Sequence, residues 1–214
     1  ISFVFLLAPT VQAAPYLVYW PSKLYAGDIE TYKQEVEKNP DDAQAHYKLG
    51  NAYYYTHFLE NYKKAIQSYK EAIRINPDNA DFHASLGCVY NSLGKHEEAI
   101  AAYKQAIKID PDDAVAAVAH FALGAAYSNS GKYKEAIESY KEGIRINPDD
   151  VWAHFFLGNT YDESGMYEEA IESYKEAIGA DPDNVLQFSS RAHVSLGAAY
   201  IGLGKYQEAV ESLK

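Results

Sequence analysis

Apolar and small residues recur along this chain in blocks of 34 to 37 positions. The prolines of Asn39-Pro40, Asn76-Pro77, Asp110-Pro111, Asn147-Pro148 and Asp181-Pro182 lie 37, 34, 37 and 34 residues apart. Each is followed by Asp and then by Asp or Asn. Leu-Gly pairs recur 37, 37, 34 and 39 residues apart at Leu49-Gly50, Leu86-Gly87, Leu123-Gly124, Leu157-Gly158 and Leu196-Gly197, with Tyr53, Tyr90, Tyr127, Tyr161 or Tyr200 three residues beyond the glycine. A second stretch in each block carries Ala65-Ile66, Ala99-Ile100, Ala136-Ile137, Ala170-Ile171 or Ala209-Val210. Four residues past each of these alanines stands Tyr69, Tyr103, Tyr140, Tyr174 or Leu213. Side chains four apart share a helix face, so each block predicts two helices, A with Leu-Gly and B with Ala-Ile. Gly and Ala mark the close approach of A to B, and Tyr and Leu fill the space between. Proline closes a pair and the acid after it caps the next A helix. One pair cannot bury its own apolar face, so neighbours must stack into a continuous core.

The pattern begins before the first Leu-Gly. Tyr25, Ile29, Glu30, Thr31, Tyr32 and Lys33 align with Tyr133, Ile137, Glu138, Ser139, Tyr140 and Lys141, a B helix with Asp28 and Glu35 in place of two small residues. A polar B helix is suited to cap an array. The division expected is 1–13 as a signal-peptide remnant, 14–24 as an extended aromatic segment and 25–39 as a half-repeat. Five repeats follow at 40–76, 77–110, 111–147, 148–181 and 182–214, the last incomplete at Lys214. Three repeats carry extra residues: three within Thr56–Asn61, about three from Ala114 to Ala119, and five around Leu186 to Ser190, including Phe188. They read as surface insertions, either neutral or in contact with a partner.

These residues resemble the tetratricopeptide repeat (TPR) family, whose signature runs aromatic, Leu-Gly, Tyr, Ala, aromatic, Ala and Pro. The likeness spans roughly residues 23–214 and recurs five times. It implies an all-α, right-handed superhelical solenoid of antiparallel helix pairs. It also implies that a peptide or helix of another protein lies along the concave groove of the A helices.

Carried over residue by residue, the groove comprises Gln44, Tyr47, Asn51, Tyr54 and Tyr55, then Asp81, Ala84, Cys88 and Asn91, then Val118, Phe121, Ala125 and Ser128. The fourth repeat adds Trp152, Phe155, Asn159 and Asp162; the fifth adds Arg191, Val194, Ala198 and Ile201. Asn51 and Asn159 can each donate and accept toward a ligand backbone. Trp152 and Phe155 have an alternative as packing against neighbouring repeats. Family members that clamp acidic chaperone tails use several basic groove residues, whereas here only Lys48 and Arg191 lie near, far apart. An apolar or aromatic segment with some basic residues is the ligand expected.

Composition narrows the field further. Of the 20 tyrosines, 15 fall at three scaffold positions of the repeats, which leaves Tyr16, Tyr19, Tyr47, Tyr54 and Tyr55 as a surplus. Five histidines occupy one repeat position, His46, His83, His120, His154 and His193. Adjacent helices pack about 8–10 Å apart, too far for a shared zinc, whose nitrogens stand about 2 Å from the metal. That ladder reads as structural, and no metal or cofactor is expected. A formal charge of −11 offers no basic stripe for nucleic acid. The single Cys88 allows neither an internal disulfide nor a cysteine zinc site.

The N-terminus carries a different signal. Ile1 to Ala8 is a short apolar run, and Val11-Gln12-Ala13-Ala14 resembles a cleavage site, so export across a membrane to a periplasmic or extracellular location is expected. The alternative is a buried N-terminal element. The run is too short for a membrane span of about 20 residues. Pro15-Tyr16-Leu17-Val18-Tyr19-Trp20-Pro21 reads as extended. Tyr16, Tyr19 and Trp20 are candidates for contact with another copy, giving a homo-oligomer or filament.

No phosphate loop, nucleophile motif or haem or zinc spacing is present, so catalysis is not expected in these residues. The expectation is a protein-binding scaffold that helps assemble a larger complex. A self-assembling filament or tubule subunit is the first alternative. The repeat region of a longer enzyme such as a glycosyltransferase is the second.

Overall fold

The computed structural model describes residues 29–181 and 189–213. The signal segment, Tyr16, Tyr19, Trp20, the half-repeat up to Asp28, and Leu186 and Phe188 lie outside the described residues. Among the described residues there are eleven helices and no strand. Helix α1 (Ile29–Lys38) precedes five pairs: α2 (Ala43–Tyr54) with α3 (Leu59–Ile75), α4 (Ala80–Ser92) with α5 (His96–Ile109), α6 (Ala114–Asn129) with α7 (Tyr133–Ile146), α8 (Val151–Glu163) with α9 (Tyr167–Ala180), and α10 (Ser189–Gly202) with α11 (Tyr206–Ser212). Even-numbered helices are the predicted A helices and odd-numbered ones from α3 the B helices. None of the residues of α1 is fully buried, although Ile29, Tyr32 and Val36 pack on the first pair.

The Leu-Gly positions hold the pairs together by shape. A Cβ added to Gly50 would stand 2.6 Å from Tyr69 Cε1, and one on Gly87 2.6 Å from Tyr103 Cε1. Gly124 and Tyr140 repeat the arrangement at 2.8 Å, and Gly158 and Tyr174 at 2.7 Å. Those four tyrosines are 0 to 1% exposed, so each ring fills the space beside the glycine of its A helix. The core is therefore built by tyrosine in the space that glycine leaves.

Capping follows the Pro-Asp-Asp pattern with one shift. The N-cap is the second polar residue after proline, not the first. Asp42 Oδ1 accepts from the backbone N of Gln44 and Ala45, Asn79 Oδ1 from Phe82, Asp113 Oδ1 from Ala114, and Asp150 Oδ1 from Trp152 and Ala153. The first acid sits within the turn that proline opens. Among these A–B turns, all but the first use a left-handed glycine, namely Gly94, Gly131, Gly165 and Gly204. The first uses His57 at φ 57°.

Two insertions are absorbed as helix rather than loop. Helix α3 has 17 residues where α5, α7 and α9 have 14, and the extra turn is Leu59 to Asn61. Helix α6 has 16 where α4 and α8 have 13, all added at its start. Three residues are close to one α-helical turn, so the element lengthens while the register of its apolar face is nearly kept.

The histidine ladder is a set of staples. Nε2 of His46, His83 and His154 bonds the carbonyl of Pro40, Pro77 and Pro148 at 2.9, 2.9 and 2.8 Å. The inserted turn in α6 carries His120 away from Pro111, and its Nδ1 is buried without a partner. Burial holds the His120 pKa below the ordinary histidine value.

Each A helix touches the next A helix, and successive B helices stay farther apart, so the A helices form the inner face of the curve.

Candidate functional site

Three hollows lie on the A-helix face: one of about 20 Å³ between α6 and α8, lined by the predicted Ser128 and Asn159 among others, and two larger ones. The first of the larger two, about 70 Å³, sits between α2, α4 and α6, with Tyr69 and Tyr103 of the B helices as its floor. Among the predicted groove residues, Asn51, Tyr54, Tyr55, Cys88, Asn91, Val118, Phe121 and Ala125 line it. The second, about 520 Å³ and wider, lies between α8, α9 and α10. It gathers the predicted Phe155, Asn159, Asp162, Arg191, Val194 and Ala198.

Several of these side chains also serve the scaffold. Tyr69 Oη donates to Asn51 Oδ1 at 2.6 Å, and Tyr174 Oη to Asn159 Oδ1 at 2.8 Å. The two amides are therefore half committed to the repeat. Ser92 Oγ donates to the carbonyl of Cys88 at 2.9 Å, which leaves the Tyr54 hydroxyl to donate to Ser92 Oγ at 3.0 Å. Asn91 Oδ1 accepts from His96 Nδ1 at 3.1 Å. Burial pushes the Cys88 thiol and the Tyr54 and Tyr69 phenols up, so all three stay neutral at ordinary pH.

Other predicted groove positions fall elsewhere. Tyr47 is buried, its ring 4.9 Å from Phe82 and 5.8 Å from Tyr69, because α4 stacks over it. It is a packing residue between the first two repeats and not an open contact surface. Trp152 lines none of the hollows and stacks on Phe156 at 6.3 Å. Gln44 and Asp81 lie on α2 and α4 outside the hollows; Gln44 is exposed, Asp81 half-buried. Phe155, though it edges the second hollow, is 2% exposed and carries the Arg191 guanidinium 5.8 Å above its ring. Burial raises the pKa of Asp162, and burial with the Asp162 charge raises that of Glu163.

Ser92 and Glu163 were missed by sequence reasoning, yet both edge the hollows. They stand five residues after the Leu-Gly glycine, the position of Tyr55. That signal was available, since the same register applied to all repeats would have selected them. Ser85, Ala122 and Ser195 share the position two residues before that glycine, so the register carried the same kind of signal for them. Among the described residues no group of three or more His, Cys, Asp and Glu is placed to hold a metal ion, and no helix is long and apolar enough to cross a membrane.

A stack of helix pairs joined by tight turns, with hollows on the inner face, defines a helical-repeat solenoid. The chain belongs to the tetratricopeptide repeat family. The family's models match residues 59–91, 87–131 and 124–165 as TPR repeat, and 151–184 and 190–214 as tetratricopeptide repeat. A search of curated proteins finds no match. Among solved structures, the MamA protein is similar at 28% identity, covering 79% of this chain and 87% of that one, with a TM-score of 0.70. PilW, described as a widely conserved type IV pilus biogenesis factor, is similar at 21% identity, covering 92% and 86%, with a TM-score of 0.74. YrrB, described as a TPR protein with an unusual peptide-binding site, is similar at 19% identity, covering 86% and 90%, with a TM-score of 0.69.

Proposed function

We propose that this chain is a non-catalytic scaffold that holds an extended segment of a partner protein along its A-helix face and helps assemble a larger complex. The observation that carries this reading is the alignment of two hollows on one face, each edged by an Asn directly after the Leu-Gly glycine. Equal repeat positions three repeats apart offer repeated polar contacts to one extended chain. Asp162 and Glu163 at the second hollow favour a basic residue there. The peptide-binding site that the description of YrrB records is in keeping with this use of the fold. Affinity capture from native extract tests it, with Tyr55→Ala plus Asp162→Lys as the groove variant. Loss of a specific partner is expected; retention of every partner excludes the groove.

Export, which the N-terminal run suggests, is part of the proposal and is checked by fractionating cells for the mature chain.

A further inference from the structure

The first hollow has a lining specific enough to name what enters it. Its walls are mostly apolar: Tyr54, Tyr69, Tyr103, Val118, Phe121 and Ala122. The room arises because α6 carries Ala122 and Ala125 where bulkier residues would close it. Most of the polar groups around it are already paired. Tyr54 is paired with Ser92, Asn91 with His96, and Ser85 Oγ donates to Tyr47 Oη at 3.4 Å. Asn51 is the exception. It is 3% exposed, its Oδ1 accepts from Tyr69, and its Nδ2 is a buried donor with no partner. A buried amide donor left unpaired costs about 1–3 kcal/mol, so an incoming acceptor there is worth more than one on the surface.

We infer that this hollow takes one branched aliphatic side chain of the bound segment, with a carbonyl oxygen of the same segment accepting from Asn51 Nδ2. The inference rests on the scaffold reading above and names the chemistry of its anchor. Size selects the side chain. An apolar cavity that admits a benzene ring measures about 150 Å³, and this one measures about 70 Å³. A valine or leucine tip suits that volume better than a phenyl ring. Charge is excluded by the same surroundings, since no side chain on these walls carries a counter-charge and burial already keeps Tyr54 and Cys88 neutral. The sequence alone suggested apolar or aromatic ligands; the dimensions narrow that to aliphatic.

The test titrates 3-methylbutanamide, an isobutyl group bearing an amide carbonyl, into the isotope-labelled full chain and follows amide resonances by NMR. Phenylacetamide is the ring-bearing control. Saturable shifts are expected at the Asn51 side-chain amide, Cys88, Phe121 and Ala122 with the first compound and not with the second. Asn51→Ala is expected to weaken binding by about tenfold. It should still fold, because Ala125 stands at the same repeat position. Val118→Trp, which copies Trp152 at its repeat position, is expected to block the mouth and abolish the shifts. No saturable response, equal binding of phenylacetamide, or unchanged affinity in Asn51→Ala overturns the inference. Capture of a partner by the Val118→Trp chain as well as by the unaltered one also overturns it while leaving the scaffold reading intact. Binding of 3-methylbutanamide as described, with no partner ever captured, supports the pocket and counts against the scaffold.

Discussion

Tyr69 donates its phenolic proton to Asn51 Oδ1 at 2.6 Å, and both residues are at most 3% exposed. The bond joins helix B of the first repeat to the residue that edges the first hollow. Tyr69→Phe leaves the Asn51 carbonyl buried and unpaired, which is expected to destabilise the chain by about 1–3 kcal/mol. Tyr140→Phe is expected to lose less, because Ala125 stands where Asn51 does and offers no side-chain acceptor. Urea denaturation of the two variants checks the difference. Equal losses would show that the phenols matter only as rings.

Gly87 and Tyr103 make a steric version of the same joint. A Cβ at Gly87 would come 2.6 Å from Tyr103 Cε1 in a core where the ring is 1% exposed. Gly87→Ala is therefore expected to destabilise by about 1–3 kcal/mol, the range for overpacking. The pair Gly87→Ala with Tyr103→Leu should recover part of that loss, which thermal denaturation of the single and double variants measures.

The first A–B turn places His57 at φ 57°, where the other turns use glycine. A left-handed backbone at a non-glycine residue costs about 1 kcal/mol. His57→Gly is expected to stabilise the chain by up to about 1 kcal/mol, and Gly131→Ala, at φ 71° with open space around it, to destabilise it by a similar amount. Opposite shifts in melting temperature for the two variants are the measurement, and shifts of the same sign would contradict the turn assignment.

His120 supplies a dependence on pH. Burial lowers its pKa below 6.5, so the fold favours the neutral ring. The stability it contributes is present above the ordinary histidine value and is lost as pH falls toward the lowered one, because the unfolded chain protonates first. Stability curves recorded from neutral pH downward should therefore fall less steeply for His120→Gln.

How much of this was legible in the sequence depends on which interactions are local. The helices, their pairing and the capping pattern follow from spacing within about 40 residues, because Gly50 and Tyr69, or Asp42 and Gln44, meet through one turn of chain. The family and the inner face were legible for the same reason, since a repeat copies its local geometry. The insertions were visible but not their form; that Leu59 to Asn61 extends a helix depends on backbone hydrogen bonding available only after folding. The candidate site was legible as a face and not as a surface. Spacing puts Tyr47 and Tyr54 on the same side of α2, but stacking of α4 buries Tyr47 between Phe82 and Tyr69 while Tyr54 comes to edge a hollow. The unpaired Asn51 Nδ2 and the size of the first hollow arise where three repeats meet, and the break in the histidine staples at His120 follows from the turn added to α6. Repeat spacing determines which residues face inward; only the packed array decides how much room they leave, because volume belongs to side chains brought together from separate repeats.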